Sequence, residues 1–336
     1  MTLRVILRPL RLAMTDKPTL QVQNISRKAI PAKSRTPKSL PPIPTVPVTS
    51  STGQTIPLID ICAQISSKYY RPHRLRKNHI PALLERASKA GLSHIILTGT
   101  THSESVEALE TCAAFDGTHS VTLRCTVGIH PHRATSTMTS SYRNTFDAEL
   151  EKLIMSEKGK KYCVAVGECG LDYDRKFSLH QHQKQVFQKQ LRLAKKLGKP
   201  VFLHNRNAHD DFFTILKPYL PDIKAVAHCH ADPSVQHLKQ LLDAGVYIGL
   251  TGIICDPREG RFNTEIIKYI PLERLMVETD SPYLFPRNVP KPWGERNCEP
   301  CLTSFVVKKI AEVRGDCNEE TVARKTTQVA KAFFGL

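Results

Sequence analysis

From Pro57 onward, short apolar runs rich in Val, Ile and Leu alternate with longer stretches in which apolar positions return every three or four residues. The first pattern fits a buried strand and the second an amphipathic helix. The runs Leu58–Ile61, His94–Thr98, Leu123–Gly128, Cys163–Gly167, Pro200–His204, Ala225–His228, Val246–Leu250 and Leu275–Thr279 predict eight strands. A helix is predicted after each, over 80–90, 103–114, 145–156, 181–197, 209–217, 234–243, 263–269 and 302–313. Within 181–197, Phe187, Leu191 and Ala194 share one face, while Lys189, Arg192, Lys195 and Lys196 lie elsewhere. Gly198-Lys199-Pro200 then ends the helix and starts the next strand. Eight strands each trailed by a helix predict an α/β chain folded as a (β/α)8 TIM barrel. An open doubly wound sheet is the alternative, but no Gly-x-Gly-x-x-Gly follows a strand and no P-loop exists. A last helix, 319–333, is expected to pack outside the barrel.

The first 54 residues break this pattern. They carry eight of the 23 prolines, nine basic side chains and a single acid, Asp16. Such a stretch cannot bury enough apolar surface to offset its ordering entropy, so residues 1–54 are expected to form a disordered basic extension and residues 55–336 the barrel. Arg4, Arg8 and Arg11 recur at helical spacing against Leu3, Ile6, Leu7 and Leu10, as in a mitochondrial presequence, although Pro9 opposes a regular helix. The expected location is therefore intracellular: mitochondrial, nuclear or cytoplasmic.

A chain of 336 residues with 40% hydrophobic and 24% charged residues has material for a large core. No run nears the ~18 apolar residues of a membrane span, which excludes an integral helical membrane protein. Ten scattered cysteines suit reduced thiols rather than a disulfide scaffold. The net charge of +17 divides into +8 from residues 1–54 and +9 from the remainder, and both parts favour a polyanionic partner such as nucleic acid.

Functional side chains of such a barrel gather at the C-terminal ends of its strands. Four of those ends here carry a carboxylate or an imidazole: Glu168 after the fourth strand, His204 after the fifth, His228 after the sixth and Asp280 after the eighth. Two imidazoles and two carboxylates converging on one mouth suit a divalent ion. A carboxylate can also bridge two ions about 3.5–4 Å apart, the spacing used in phosphoryl displacement. Glu278 lies on the barrel-facing side one layer below Asp280, where it is expected to orient a ligand imidazole. A buried salt bridge with an arginine is the alternative.

Several motifs then carry a family resemblance. Gly167-Glu168-Cys169-Gly170-Leu171-Asp172-Tyr173-Asp174-Arg175, Leu203-His204-Asn205-Arg206-Asn207-Ala208-His209, Tyr247-Ile248-Gly249-Leu250-Thr251-Gly252 and Glu278-Thr279-Asp280-Ser281-Pro282-Tyr283-Leu284 resemble the signatures of the TatD-type metal-dependent deoxyribonucleases. Thr98-Gly99-Thr100 and Gly128-Ile129-His130-Pro131-His132 match as well, and the likeness spans about residues 57–335. It implies an amidohydrolase-like barrel that cleaves DNA with one or two divalent ions, Mg2+ foremost and Mn2+ or Zn2+ as alternatives, acting on single strands or 3′ ends. The implied metal ligands are Glu168, His204, His228 and Asp280, with Glu168 bridging and Asp280 accepting a proton from the attacking water. The resemblance puts His130 and Arg206 near the substrate phosphate. Arg287 is a further phosphate candidate, and Trp293 a platform for base stacking or simply an anchor for its own loop.

The sequence departs from the family in places. The first strand reads Asp60-Ile61-Cys62 where one branch has a His-x-His pair, so Asp60 is read as supporting the site rather than ligating metal. His228-Cys229-His230-Ala231-Asp232 replaces the usual aromatic and Thr-Gly, and His230 is expected to face solvent or bond within its loop, with an added metal ligand as the alternative. Arg296-Asn297-Cys298-Glu299-Pro300 has one residue more than usual, which leaves Glu299's place open. Two other functions share the ligand set or the charge: a metal-dependent deacylase or amidohydrolase, and a nucleic-acid-binding protein without catalysis. The oligomeric state is not legible.

Overall fold

The computed structural model describes residues 43–65, 79–258, 262–290 and 297–336. The expectations placed on residues 1–42 and on Trp293 lie outside the described residues. Eight strands, β1 (Leu58–Ala63), β2 (Leu92–Leu97), β3 (Thr122–Val127), β4 (Cys163–Asp172), β5 (Val201–Arg206), β6 (Ala225–Ala227), β7 (Tyr247–Leu250) and β8 (Leu275–Val277), form one sheet in sequence order. Every neighbouring pair is parallel, as a (β/α)8 barrel requires. The helices are α1 (His79–Lys89), α2 (His102–Phe115), α3 (Ala134–Thr139), α4 (Phe146–Met155), α5 (Glu157–Tyr162), α6 (His180–Leu197), α7 (His209–Leu216), α8 (Val235–Asp243), α9 (Thr303–Arg314) and α10 (Glu319–Phe334).

Helix α6 shows why the pattern was readable. Val186, Phe187, Leu191 and Ala194 are buried on one face, and Gly198 closes the helix with φ of 61°, a left-handed conformation that costs glycine little. The stretch predicted as a helix over 263–269 is instead a 3-10 helix, Thr264–Tyr269. It is short, and Pro271 lies two residues beyond its end, so no α-helix can propagate there.

Two apolar layers hold the barrel. One lies between strands and outer helices and includes Leu83, Leu123, Phe146, Phe187, Leu191, Phe212 and Leu238. The other fills the barrel interior with Ile59, Ile61, Ile96, Ala165, Phe202, Val226 and Met276. Val329, Ala330, Phe333 and Phe334 of α10 join this inner layer. The last helix thus meets both layers, with Val322 and Ala323 in the outer one and its C-terminal end against the barrel interior.

The extension also ends earlier than its composition suggested. Val48 is buried, Thr49 bridges Thr55, and Ile56 N–H donates to Val48 O at 2.8 Å. One well-placed valine and a local backbone pairing suffice to dock residues 43–54, despite their prolines.

The seam between β8 and β1 differs from the other joints. Past the end of β8, Ser281 bridges Ala63 of β1, and Asp280 N–H donates to Cys62 O at 2.9 Å. Asp60 supplies the rest: its Oδ1 accepts from Thr279 N–H at 2.9 Å and Cys62 N–H at 3.1 Å, and its Oδ2 lies 2.5 Å from Thr279 Oγ1.

Candidate metal centre

Glu168 stands where β4 changes register. Two-residue alternation from interior Ala165 would turn Gly167 inward, but the ladder to β5 slips between Gly167 and Cys169. The slip brings Glu168 inward instead. Beyond it, β4 continues to Asp172, five residues past the predicted end, because Gly170, Leu171 and Asp172 keep pairing with His204, Asn205 and Arg206. Gly170 has φ of 143°, and a Cβ there would meet His204 O at 1.9 Å. Only glycine lets the two strands approach so closely at this point.

The Glu168 Oε1 atom gathers three imidazoles. His228 Nε2 lies 2.8 Å away, His204 Nδ1 3.0 Å and His130 Nε2 3.1 Å. Burial by itself would raise the Glu168 pKa, yet His130 and His228 hold it well below the usual carboxylate range. Burial would lower His228, but Glu168 and Glu278 lift it well above an ordinary histidine. His130 goes the other way: burial outweighs Glu168 and brings it down to about 4.

A second carboxylate extends the cluster. Asp172 Oδ2 lies 3.0 Å from His204 Nε2 and 2.8 Å from His132 Nε2, so His204 is held between Glu168 and Asp172. Burial opposes ionisation of Asp172, but the hydrogen bonds from His132 and His204 hold it well below its usual range. Neither His132 nor Asp172 was assigned a role from the sequence. Asp172 is four residues from Glu168, the same parity, and the signal was masked by ending the strand at Gly167. Phe177 packs edge-on against His132 at 4.9 Å and is 64% exposed, a large ring at the edge of the cluster.

Asp280 follows β8 in a left-handed conformation, φ 53°, which an aspartate tolerates better than most residues. Its carboxyl lies 3.5 Å from Cys62 Sγ. Burial raises its pKa to about 7, offset in part by His228 and reinforced by Glu168 and Glu278. Glu278 Oε1 accepts from Cys229 N–H at 2.5 Å, and its Oε2 is 3.5 Å from His228 Nδ1, within ion-pair range but long for a hydrogen bond. The partner of Glu278 is thus the imidazole, not an arginine.

The remaining candidates lie apart from Glu168. Arg206 pairs with Asp174 at 2.8 Å and Arg287 with Asp256 at 3.4 Å, both about half exposed. Glu299 takes both guanidinium nitrogens of Arg86, at 2.7 and 3.1 Å. No disulfide joins any of the ten cysteines. His230 does not face solvent as expected: it is 4% exposed, because its backbone N–H is tied to Gly249 O at 3.0 Å and draws the loop inward. Beside His130 opens a cleft of about 510 Å3 lined by Thr101, His102, Glu104, Ile129, Arg133 and Tyr142.

Asp60 makes a test of the seam possible. Burial raises its pKa from 3.8 to about 8, against the hydrogen bonds from Thr279 and Cys62. The folded carboxyl keeps its proton where the unfolded one has released it, so stability is fully present below the unfolded value and is lost as pH rises towards 8. Asparagine imitates the protonated acid, donating to Thr279 Oγ1 and accepting at the other oxygen. The Asp60→Asn variant should therefore gain on the wild type by a few kcal/mol between pH 5 and 8, on the order of one for each pH unit. Thermal melts in chelator measure this, and a melting difference that does not grow with pH would refute it.

Whether these residues fit a metal is decided by their donors. His130, Glu168 and His204 each present a ligand atom within 4.8 Å of the others, as do Cys62, His228 and Glu278. His228 Nδ1 and Glu278 Oε2 are buried without a hydrogen bond among the described residues. Imidazole and carboxylate donors, several of them underused, are what a divalent ion takes.

Comparison with known proteins gives a consistent answer. The sequence profile described as "TatD related DNase" matches residues 59–335. A protein from Pantoea ananatis named 3′-5′ ssDNA/RNA exonuclease TatD is 37% identical over 281 residues, 83% of this chain and 100% of that one. Its namesake from Erwinia amylovora is 42% identical over 256 residues, covering 76% of this chain and 93% of the other. Among solved structures, a TatD family hydrolase from Entamoeba histolytica superposes with a TM-score of 0.71 at 25% identity, over 82% of this chain and 97% of its own. An amidohydrolase from Saccharomyces cerevisiae shares the fold, with a TM-score of 0.72 at 23% identity over 83% of this chain and 100% of that one.

Proposed function

Because the chain belongs to the family of TatD-related DNases, a family of metal-dependent hydrolases, we propose that it is a divalent-metal-dependent exonuclease acting on single-stranded DNA from the 3′ end, with Mg2+ as its working ion. The observation that carries this reading is the single Glu168 oxygen shared by three imidazoles, with Asp280 buried close by. Glu168, His204, His228 and Asp280 would hold the ion. When bound, it acidifies water and offsets negative charge on a phosphate. Asp280, buried beside Glu168 and His228, would accept the proton that the attacking water releases. Asp172 fixes the ring of His204, and Glu278 that of His228. His130, which faces Glu168, would steady the phosphate, and Arg206 and Arg287 would join it by leaving Asp174 and Asp256. The basic segment 1–42 is an accessory or mitochondrial targeting segment in this proposal, on the strength of its arginine spacing. Among the described residues no helix is long and apolar enough to cross a membrane.

The test is cleavage of a 5′-labelled single-stranded oligonucleotide in Mg2+, Mn2+ or chelator. A descending ladder that chelator abolishes is expected. No cleavage in any metal, by folded protein that binds ions, would turn the assignment towards a deacylase. Phe177 provides a second expectation. A half-open ring beside His132 is suited to stack on a terminal base, and such stacking is worth about 1–3 kcal/mol. Phe177→Ala should raise KM for single-stranded DNA about 5- to 100-fold with kcat little changed. An unchanged KM would remove Phe177 from the substrate path.

A further inference from the structure

A second cluster of metal-binding side chains lies between the start of α7, the β6–α8 loop and α8. His209, Asp232 and His237 each offer a ligand atom, all within 4.8 Å of one another. His237 Nδ1 is 2.7 Å from Asp232 Oδ2, and the rings of His209 and His237 stack with centroids 3.9 Å apart. Asp232 is held in place through Oδ1, which accepts from Ser234 N–H at 2.9 Å.

The tautomer of His209 follows from its neighbour. His209 Nε2 lies 2.8 Å from Gln240 Oε1, an acceptor, so Nε2 carries the hydrogen and Nδ1 keeps its lone pair. That Nδ1 is buried, with no hydrogen-bond partner among the described residues. A ligating imidazole looks like this: one nitrogen anchored to an acceptor and the other bare. His230, two residues before Asp232 and 4% exposed, also buries a nitrogen, Nε2, without a partner. The orphaned His209 nitrogen is a cost that an electron-pair acceptor would remove. His237 and Asp232 keep 35% and 19% of their side chains open, which gives an ion a way in.

We propose that His209, Asp232 and His237 form a transition-metal site of the Zn2+ class, separate from the Glu168 centre. With a single carboxylate beside two imidazoles, against two carboxylates in the Glu168 centre, this site favours Zn2+, Co2+ or Ni2+ over Mg2+, which prefers oxygen ligands and keeps its water. His230 and Asp232 belong to the stretch in which the sequence departs from the family's usual pattern. It does not depend on the nuclease assignment, since its ligands take no part in that centre.

The test is metal stoichiometry of the full chain. Protein stripped by chelator is dialysed against Zn2+ in excess Mg2+ and the retained Zn2+ counted, for the wild type and for His237→Gln and Asp232→Asn. The wild type should keep one equivalent more than either variant. Co2+ loading should give the wild type visible absorption bands that both variants lose. His237 is partly exposed, so its glutamine variant tests the site even where Asp232→Asn fails to fold; melting curves in chelator show which variants are intact. Equal Zn2+ retention by the wild type and a folded His237→Gln would overturn the proposal, as would release of the extra equivalent by Mg2+.

Discussion

Replacing Glu168 by glutamine is expected to lower metal-dependent turnover by about 10³-fold or more, which corresponds to about 4 kcal/mol of lost transition-state stabilisation. One oxygen of this carboxylate faces His130, His204 and His228 together. An amide of the same shape has one weaker acceptor and turns its N–H2 towards imidazole nitrogens that are themselves donors. It also removes a negative charge that, together with Asp172, lifts His204 and, together with Glu278, lifts His228 above ordinary histidines. The change therefore strikes the charge on which the site is built while altering little volume. Elemental analysis should show fewer bound ions per chain, and circular dichroism an intact barrel. Turnover within tenfold of the wild type, with full metal content, would remove Glu168 from the centre.

The second large effect is structural. Gly170→Ala should destabilise the chain by more than about 4 kcal/mol, in the range reserved for overpacked and strained sites. Two causes add. The φ of 143° is one that alanine rarely adopts, and its Cβ would stand 1.9 Å from His204 O. Relief requires β5 to move off β4, taking a proposed ligand with it. Gly198→Ala is the control: its φ is 61° and nothing lies within 4 Å of the added methyl, so a cost of about 1 kcal/mol is expected. Denaturant midpoints decide the matter; equal losses in the two variants would show that the β4–β5 approach is not under close steric constraint.

The barrel was legible because its strands are buried on both faces and read as apolar runs, and because its helices keep one apolar face. The ends of elements were less so. Continuation of β4 to Asp172 rests on glycines that permit unusual φ and on pairing with β5, neither of which hydrophobic periodicity reports. That is why Asp172 and His132 escaped notice although both stood in motifs already quoted. Convergence at the mouth could be argued from strand position for Glu168, His204 and His228, since each belongs to or directly follows a strand. Strand position does not place the guanidinium groups of Arg206, at the end of β5, or of Arg287: their reach is spent on Asp174 and Asp256, and long flexible side chains pair with whichever acid is near. Composition misjudged Val48 for a related reason, averaging over a stretch in which one residue decides docking.

The joint that Asp60 makes with Thr279 connects residues 219 apart in the chain. During synthesis on a ribosome, this joint becomes available only once β8, the last of the eight strands, has emerged. Until then β1 and β7 are unpaired edges, and Asp280 has not been made. The chain therefore passes through a long interval in which most of its donors exist but no complete centre does. Hydrolytic capacity arrives in one step, with the closing of the ring.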